Sequence, residues 1–201
     1  MTPPPRAGDL PAELKAAAAD VIIEQGLGAF SLREVARRAG VSHAAPGYHF
    51  GDTRGLLTSL AIEGFDLLAA EMADALRGVD DPVEQLTLIG KAYVRVAVAR
   101  PAHFEVIFRS DVVDDEATEE AGNGAFALLE GVVQRIADGS HPDLDVQTAA
   151  RLCWSAMEGL VVLHPKFSRL SEGAGENPQP IEEQVERFTE LMLHGIVGPT
   201  P

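Results

Sequence analysis

An all-α fold is the expectation for this 201-residue chain, and three observations carry it. Apolar side chains recur at intervals of three and four in every long segment, and no sustained strand-like alternation appears. Proline and glycine punctuate the chain at intervals suited to about nine helices. Residues 27–57, LGAFSLREVARRAGVSHAAPGYHFGDTRGLL, carry the caps of two short helices joined by a tight turn. The expected organisation is a disordered arm over 1–10, a three-helix head over 11–58, and a long helix leading into an all-helical body over 59–201.

The first helix opens near Pro11, which suits a first helical position, and ends by Gly26, with Leu14, Ala18, Val21 and Ile22 in one stripe. Ser31 and Glu34 form the capping box of a short second helix, with Phe30 and Val35 placed as a hydrophobic staple. Gly40 suits the left-handed position just past its end. Ser42 is then expected to cap a short third helix, which puts Pro46 in its first turn, where a missing N–H costs little. A fourth helix from about Asp52 carries Leu56, Leu57, Leu60, Phe65, Leu68 and Met72 toward Gly78. Pro82 opens a fifth, with Leu86, Ile89, Tyr93 and Ala97 on one face, and proline after Arg100 ends it.

AHFEVIFRS forms a short sixth helix, and the acidic residues 111–124 read as a mobile loop. The seventh helix shows Phe126, Leu129, Val133 and Ile136 at helical spacing, and DGSHPD is a turn. The eighth is expected over about 143–164, stopped by Pro165. Residues 171–180 read as a flexible linker. Ile181, Val185, Phe188, Met192 and Ile196 share one side of the ninth. There is no internal repeat.

Charge is distributed unevenly. Residues 1–58 hold six basic and six acidic side chains, so the remaining ten basic and 25 acidic residues carry the whole net charge of −15. A neutral head with clustered arginines remains able to meet a phosphate backbone, whereas the acidic body is repelled by one. No apolar run reaches membrane-span length, and MTPPPRAGDLP lacks the apolar region of a secretory signal. The single cysteine, Cys153, excludes an internal disulfide and fits a reducing, cytoplasmic setting.

Catalytic signatures are missing. The six histidines include no pair at metal-ligand spacing such as HExxH, so no metal site is expected. His103 and Glu105 point apart on a helix, as do Glu158 and His164. Cys153 sits in an apolar run that favours an inert thiol, and no glycine-rich phosphate loop or cofactor motif appears. A pair of short helices with a glycine turn instead matches the helix-turn-helix, whose second helix enters the DNA major groove.

FSLREVARRAGVS followed by YHFGDTRGLL resembles the head of the tetracycline-repressor (TetR) family of bacterial transcription regulators. The resemblance implies that Ala36 is the small residue at the contact of the two motif helices, and that Phe50 seats the motif on the first helix. CWSAMEGLVVL, residues 153–163, resembles the tryptophan-bearing helix of the family's WHG-type C-terminal domain, with Glu158 where the pattern has histidine. The head departs from the pattern at Pro46 and Gly47, where Leu-Tyr is usual, and at Thr53, where lysine is usual. Tyr48 and Arg54 are the neighbours able to replace those phosphate contacts.

The resemblance implies a regulator, most simply a repressor, that binds a palindromic operator as a homodimer and is released by a small-molecule effector. His43, Ala44 and Ala45 open the recognition helix and reach base edges, the small residues admitting thymine methyls. Arg33 points toward the same groove, suited to bidentate contact with guanine. Ser31, Tyr48, His49, Thr53 and Arg54 are assigned to the phosphate backbone, setting register, while Ser42, a cap first, and Gly47, which lacks the family's tyrosine, complete the DNA-facing set. Leu152, Ala156, Leu160 and Leu163, with Val185, Phe188 and Met192, are candidates for a dimer interface about a two-fold axis. Tyr93, His103, Phe104, Ile107, Phe108, Phe126, Trp154, Met157 and Glu158 are candidates for an effector pocket. The competing reading is a helical adaptor or nonspecific DNA binder that keeps the motif without operator-specific control.

Overall fold

The computed structural model describes residues 10–174, 177 and 179–197, with the side chains of 140 and 194–197 left undescribed. Most of the expected arm and the Ile196 side chain lie outside that set. Among the described residues there are nine α-helices and no strand: α1 (Leu10–Gln25), α2 (Leu32–Ala39), α3 (Ala45–Phe50), α4 (Thr53–Ala75), α5 (Pro82–Ala99), α6 (Pro101–Val106), α7 (Asp115–Ser140), α8 (Val146–Gly173) and α9 (Ile181–Val197). The chain divides into two compact units, one made of Met1–Asp66 with Arg100–Gly122, the other of Leu67–Ala99 with Asn123–Pro201. The first unit therefore holds α6 and the start of α7 as well as the head, which differs from a boundary at residue 58.

In the first unit, Leu14, Ala17, Ala18 and Val21 of α1 meet Val35 of α2 and Leu56 of α4 in a dry core, with Phe30 and Phe50 packed against it. Burying each of the larger side chains contributes about 1.5–3 kcal/mol. Gly26 leaves α1 with a φ of 75°, and a single 3-10 turn (Leu27–Ala29) leads to Ser31. Ser31 caps α2, its Oγ accepting from the Glu34 N–H at 3.3 Å. Gly40 ends α2 in the left-handed region (φ 70°, ψ 26°), and the Val41 N–H returns to the Ala36 carbonyl at 3.0 Å, a Schellman closure.

The start of α3 corrects one expectation. The residue at its N-cap is Ala44, with no side-chain cap bond; Ser42 contributes its carbonyl, which accepts from the Ala45 N–H at 3.0 Å. The turn is closed by backbone alone, so the hydroxyl is not required. Pro46 does fall in the first turn, and it is buried. Gly51, at φ 78°, carries the chain out of α3, and Asp52 caps α4 through the Gly55 N–H at 2.8 Å. A Cβ on Gly55 would lie 2.0 Å from the Phe50 carbonyl oxygen, so only glycine lets α4 begin this close behind α3.

Further along α4, a Cβ on Gly64 would stand 2.8 Å from Ile107 Cγ2 and 3.2 Å from His103 Cβ. That glycine is what seats α6 and the residue after it on α4. The acidic stretch 111–124 is not a loop throughout: α7 begins inside it, at Asp115. Asp114 is the cap, accepting from the Ala117 N–H (3.3 Å) while its own N–H donates to Thr58 Oγ1 (2.9 Å). Asp115 and Glu116 then suit the positive end of a helix.

In the second unit α5, α8 and α9 pack on one another. Their core includes Leu86, Ile89, Tyr93, Cys153, Met157, Leu160 and Val185. Asp145 caps α8 through the Thr148 N–H (3.1 Å), so the helix starts at Val146, slightly later than expected. Pro165 does not stop that helix, which runs on to Gly173. Proline removes one N–H, yet the helix continues past it, and His164 makes side-chain bonds to Ser168 on α8 (3.4 Å) and Gln184 on α9 (3.3 Å).

Candidate nucleic-acid interface and internal cavity

Ser31, Arg33, Ser42, His43, Ala44, Tyr48, His49, Thr53 and Arg54 are all exposed, and Ala45 and Gly47 are partly so. Tyr48 is the extreme case at 87 % exposure, its ring edge-on to His49 at 5.3 Å. A large apolar ring held this far into solvent on a six-residue helix is unusual for a folding role and suits contact with a partner.

The cations of the head are largely occupied. Glu34 does not complete the capping box, because its carboxylate is drawn to Arg37 (Nε 2.7 Å, Nη2 2.7 Å) and Arg38 (Nε 2.9 Å). Arg38 also reaches Glu24 at 2.6 Å. Hydrogen bonds from Arg37 and then Arg38 hold the Glu34 carboxyl down at about 2. Lys15 pairs with Glu63. Arg54, expected to meet phosphate, instead donates to the backbone carbonyls of Ser110 (3.1 Å) and Val113. It ties the first turn of α4 to the segment before α7 through one nitrogen, Nη2. Among the described residues, Arg33 is the one cation of the head with neither an ion pair nor a hydrogen bond.

The expected pocket residues separate. His103, Phe104, Ile107 and Phe108 belong to the first unit. His103 is buried, 3.4 Å from Glu63, and burial lowers its pKa against the opposing pull of that carboxylate. Burial would raise the pKa of Glu63, but the Lys15 hydrogen bond and charge outweigh it, and the net shift is downward. Ile107 is buried, and Phe108 lies edge-on to Phe65 at 5.7 Å and to Phe104 at 6.5 Å. His103 and Ile107 are core beside α4, Phe104 is partly buried and Phe108 exposed, and none of the four lines the cavity in the second unit.

That cavity is narrow as it stands: about 340 Å³ lies between its atoms when open solvent at the mouth is included, and about 20 Å³ is free for the centre of a water-sized sphere, so a larger guest must part the wall. From α5 come Leu86, Ile89, Gly90 and Tyr93, from α8 Cys153, Trp154 and Met157, from α9 Thr189 and Met192, with Met72 and Leu129 completing the wall. A Cβ on Gly90 would sit 2.8 Å from Val185 Cγ1 and 3.2 Å from Met157 Sδ. Trp154 stands edge-on to Tyr93 (5.4 Å) and tilted to Phe126 (5.6 Å). Tyr93 donates its hydroxyl to Glu158 Oε2 at 2.6 Å. Burial raises the Glu158 carboxyl, partly offset by that hydrogen bond. Burial, then the Glu158 charge, raises the Tyr93 hydroxyl. Cys153 is buried, and its thiol is pushed up to about 11 by burial, so it is unreactive.

Sequence reasoning missed Met72, Leu86, Ile89, Gly90, Leu129, Cys153, Thr189 and Met192 as cavity residues, while Phe126 and Glu158, expected there, touch lining residues without lining it themselves. One signal was available: the three methionines after Met1 and the lone cysteine all line this space. The expected dimer residues also divide. Leu160 and Val185 are buried within the protomer, so neither is available to a partner, and Met192 lines the cavity. Ala156 and Phe188 are partly buried. Leu152 and Leu163 are exposed, and so are Val162, Phe167 and Leu170 further along α8 and Leu191 on α9.

An exposed helix-turn-helix face in one unit and a lined cavity in the other define a two-part helical DNA-binding regulator. Residues 14–60 match the family described as bacterial regulatory proteins, tetR family, and residues 86–193 match the tetracyclin repressor-like C-terminal domain. The chain belongs to the TetR family of transcriptional regulators.

An uncharacterized HTH-type transcriptional regulator of Mycobacterium tuberculosis is 29% identical over 122 residues, which cover 60% of this chain and 61% of that protein. The match thus spans less than two thirds of the relative's length. A solved structure of a protein with unknown function from Rhodococcus sp. RHA1 is 26% identical with a TM-score of 0.77, covering 98% of this chain and 100% of that one. FadR from Bacillus subtilis, solved in complex with stearoyl-CoA, shares the fold at 17% identity with a TM-score of 0.75, over 92% and 98% of the two chains.

Proposed function

We propose that the protein is a homodimeric repressor that binds a near-palindromic operator and releases it when a small apolar effector enters the second unit. The observation that carries the reading is the exposed surface of α2 and α3, where Arg33, His43, Ala44 and Tyr48 share one motif and Arg33 has no competing partner. Arg33 and His43 read base edges; Tyr48, His49, Ser31 and Thr53 hold the backbone. Arg54 acts as a strut and contributes less to phosphate binding than its charge suggests.

The exposed apolar side chains Leu152, Leu163, Phe167 and Leu170 on α8, with Leu191 on α9, favour a second copy as the partner. A two-fold dimer sets two recognition helices roughly 34–36 Å apart, one duplex turn, hence the near-palindrome. The effector acts through its differential affinity for DNA-competent and incompetent states, and in no other way.

Selection of bound fragments from random DNA tests the reading. A symmetric consensus with half-sites one turn apart is the expected result, and Arg33→Ala should relax preference at one position in each half-site. Binding without a consensus, or no binding at low salt, would favour the nonspecific or adaptor reading. One observation leans that way, namely the internal pairing of Lys15, Arg37, Arg38 and Arg54.

A further inference from the structure

The composition of the cavity narrows what can enter it. Its wall is built from sulfur, aromatic and aliphatic side chains and one aliphatic hydroxyl, Thr189, with Met72, Met157 and Met192 around Trp154 and Tyr93, and among the described lining residues there is no cation. Thioethers are polarizable and unbranched, so such a wall reshapes around guests of different outline. The polar end is Tyr93, whose hydroxyl is already given to Glu158 Oε2. Tyr93 thus has its proton committed, and the remaining oxygen of Glu158 carries no hydrogen bond among the described residues. What this end offers a guest is acceptor capacity and negative charge.

Basic side chains nearby on the same helices are otherwise engaged, Lys91 with Glu186 (2.5 Å) and Arg95 with Glu71 (3.0 Å). A carboxylate or phosphate brought into the cavity would lose its hydration, find no counter-charge among the lining residues, and lie near the negative charge of Glu158 behind Tyr93. Resting on the effector reading above, we infer that the cavity selects an uncharged or cationic apolar molecule bearing a hydrogen-bond donor, received by the Tyr93–Glu158 pair, and rejects organic acids of the same size.

Trp154 is the only tryptophan of the chain and lines the cavity, so its emission reports occupancy directly in the full-length protein. Titration with octylammonium, 1-octanol and octanoate, one chain with three heads, is the test. Octylammonium and octanol should shift the emission and raise the melting temperature, with octanoate weaker by about ten-fold or more, the scale of one unpaired buried charge. Glu158→Gln preserves volume and should bring octylammonium and octanoate to within about two-fold of each other, leaving octanol nearly unchanged. Tyr93→Phe should keep the preference for octylammonium, since the carboxylate remains.

Octanoate binding as tightly as octylammonium to the wild type would overturn the selectivity, as would an unchanged ranking in Glu158→Gln. Either result leaves the effector reading standing. Silence from all three probes would remove the cavity as an effector site and this inference with it. The wild-type ranking needs no variant to fold.

Discussion

The two compact units bury their helices with different materials. The first packs Leu14, Val21, Val35 and Leu56 to essentially zero exposure, and its helices are held at their ends by Ser31, Gly40, Asp52 and Asp114. The second packs methionine, tryptophan, tyrosine and cysteine around a space that is not filled. A head that must present a fixed set of side chains to a rigid partner needs defined rotamers, which aliphatic branching and caps supply. If the second unit admits the proposed effector, its side chains must re-pack, which thioethers allow.

Four experiments break or sharpen that contrast. Truncation of the dry core should have the largest effect: Leu14→Ala should cost about 2–5 kcal/mol. Calorimetry would register it as a lowered first transition, with Trp154 emission unchanged. In the second unit Met157→Leu, beside a space that can relax, should cost less than about 1.5 kcal/mol. Equal losses from the two substitutions would erase the distinction.

Next comes Gly55→Ala. The added methyl meets the Phe50 carbonyl, so α3 must move relative to α4, at a cost of about 1–3 kcal/mol. Operator affinity should fall with stability, whereas Gly47→Ala, with no atom within 4 Å of its Cβ, should leave the fold intact. Third is Arg33→Ala. An exposed change of this kind should alter stability by no more than about 0.5 kcal/mol, yet cost about 1–3 kcal/mol of base discrimination in operator titrations. Loss of affinity with unaltered preference would reassign Arg33 to the backbone.

The smallest effect is in pH. The carboxyl of Glu34 lies below its ordinary value of 4.5, at about 2. Its contribution is therefore complete above pH 4.5 and is lost as pH falls from there toward 2. Glu158 is shifted upward from 4.5, so its contribution has the opposite sign, present at acid pH and lost as pH rises through the shifted value. Acid titration of thermal stability should show Glu34→Gln converging on wild type as pH drops, and Glu158→Gln converging on it as pH rises is the result that would contradict the second sign.

How far each site could be read from sequence follows the same division. Ser31, Gly40, Pro46 and the exposed face of α2 and α3 were legible, because caps and turns are settled among residues three or four apart. The Ser42 cap failed on an equally local competitor, a turn closed by backbone. The partners of Arg54 were not legible for a different reason: they lie 56 and 59 residues away, and an arginine signals charge without saying what satisfies it. His103 to Phe108 carry the composition of a pocket wall, yet Gly64 lets His103 and Ile107 close onto α4 as core.

By itself the sequence determined the helical class, the helix-turn-helix with its turn glycine, and the pairing of a neutral head with an acidic body, since helical periodicity, capping and charge are properties of short stretches. Only the tertiary structure decided that α6 joins the head's unit, that α8 continues through Pro165, that Leu160 and Val185 are spent inside the protomer, and that every methionine after Met1 faces one space. An apolar stripe specifies that a face will be buried; which surface covers it, and whether a gap is left, depends on contacts between helices far apart in the chain.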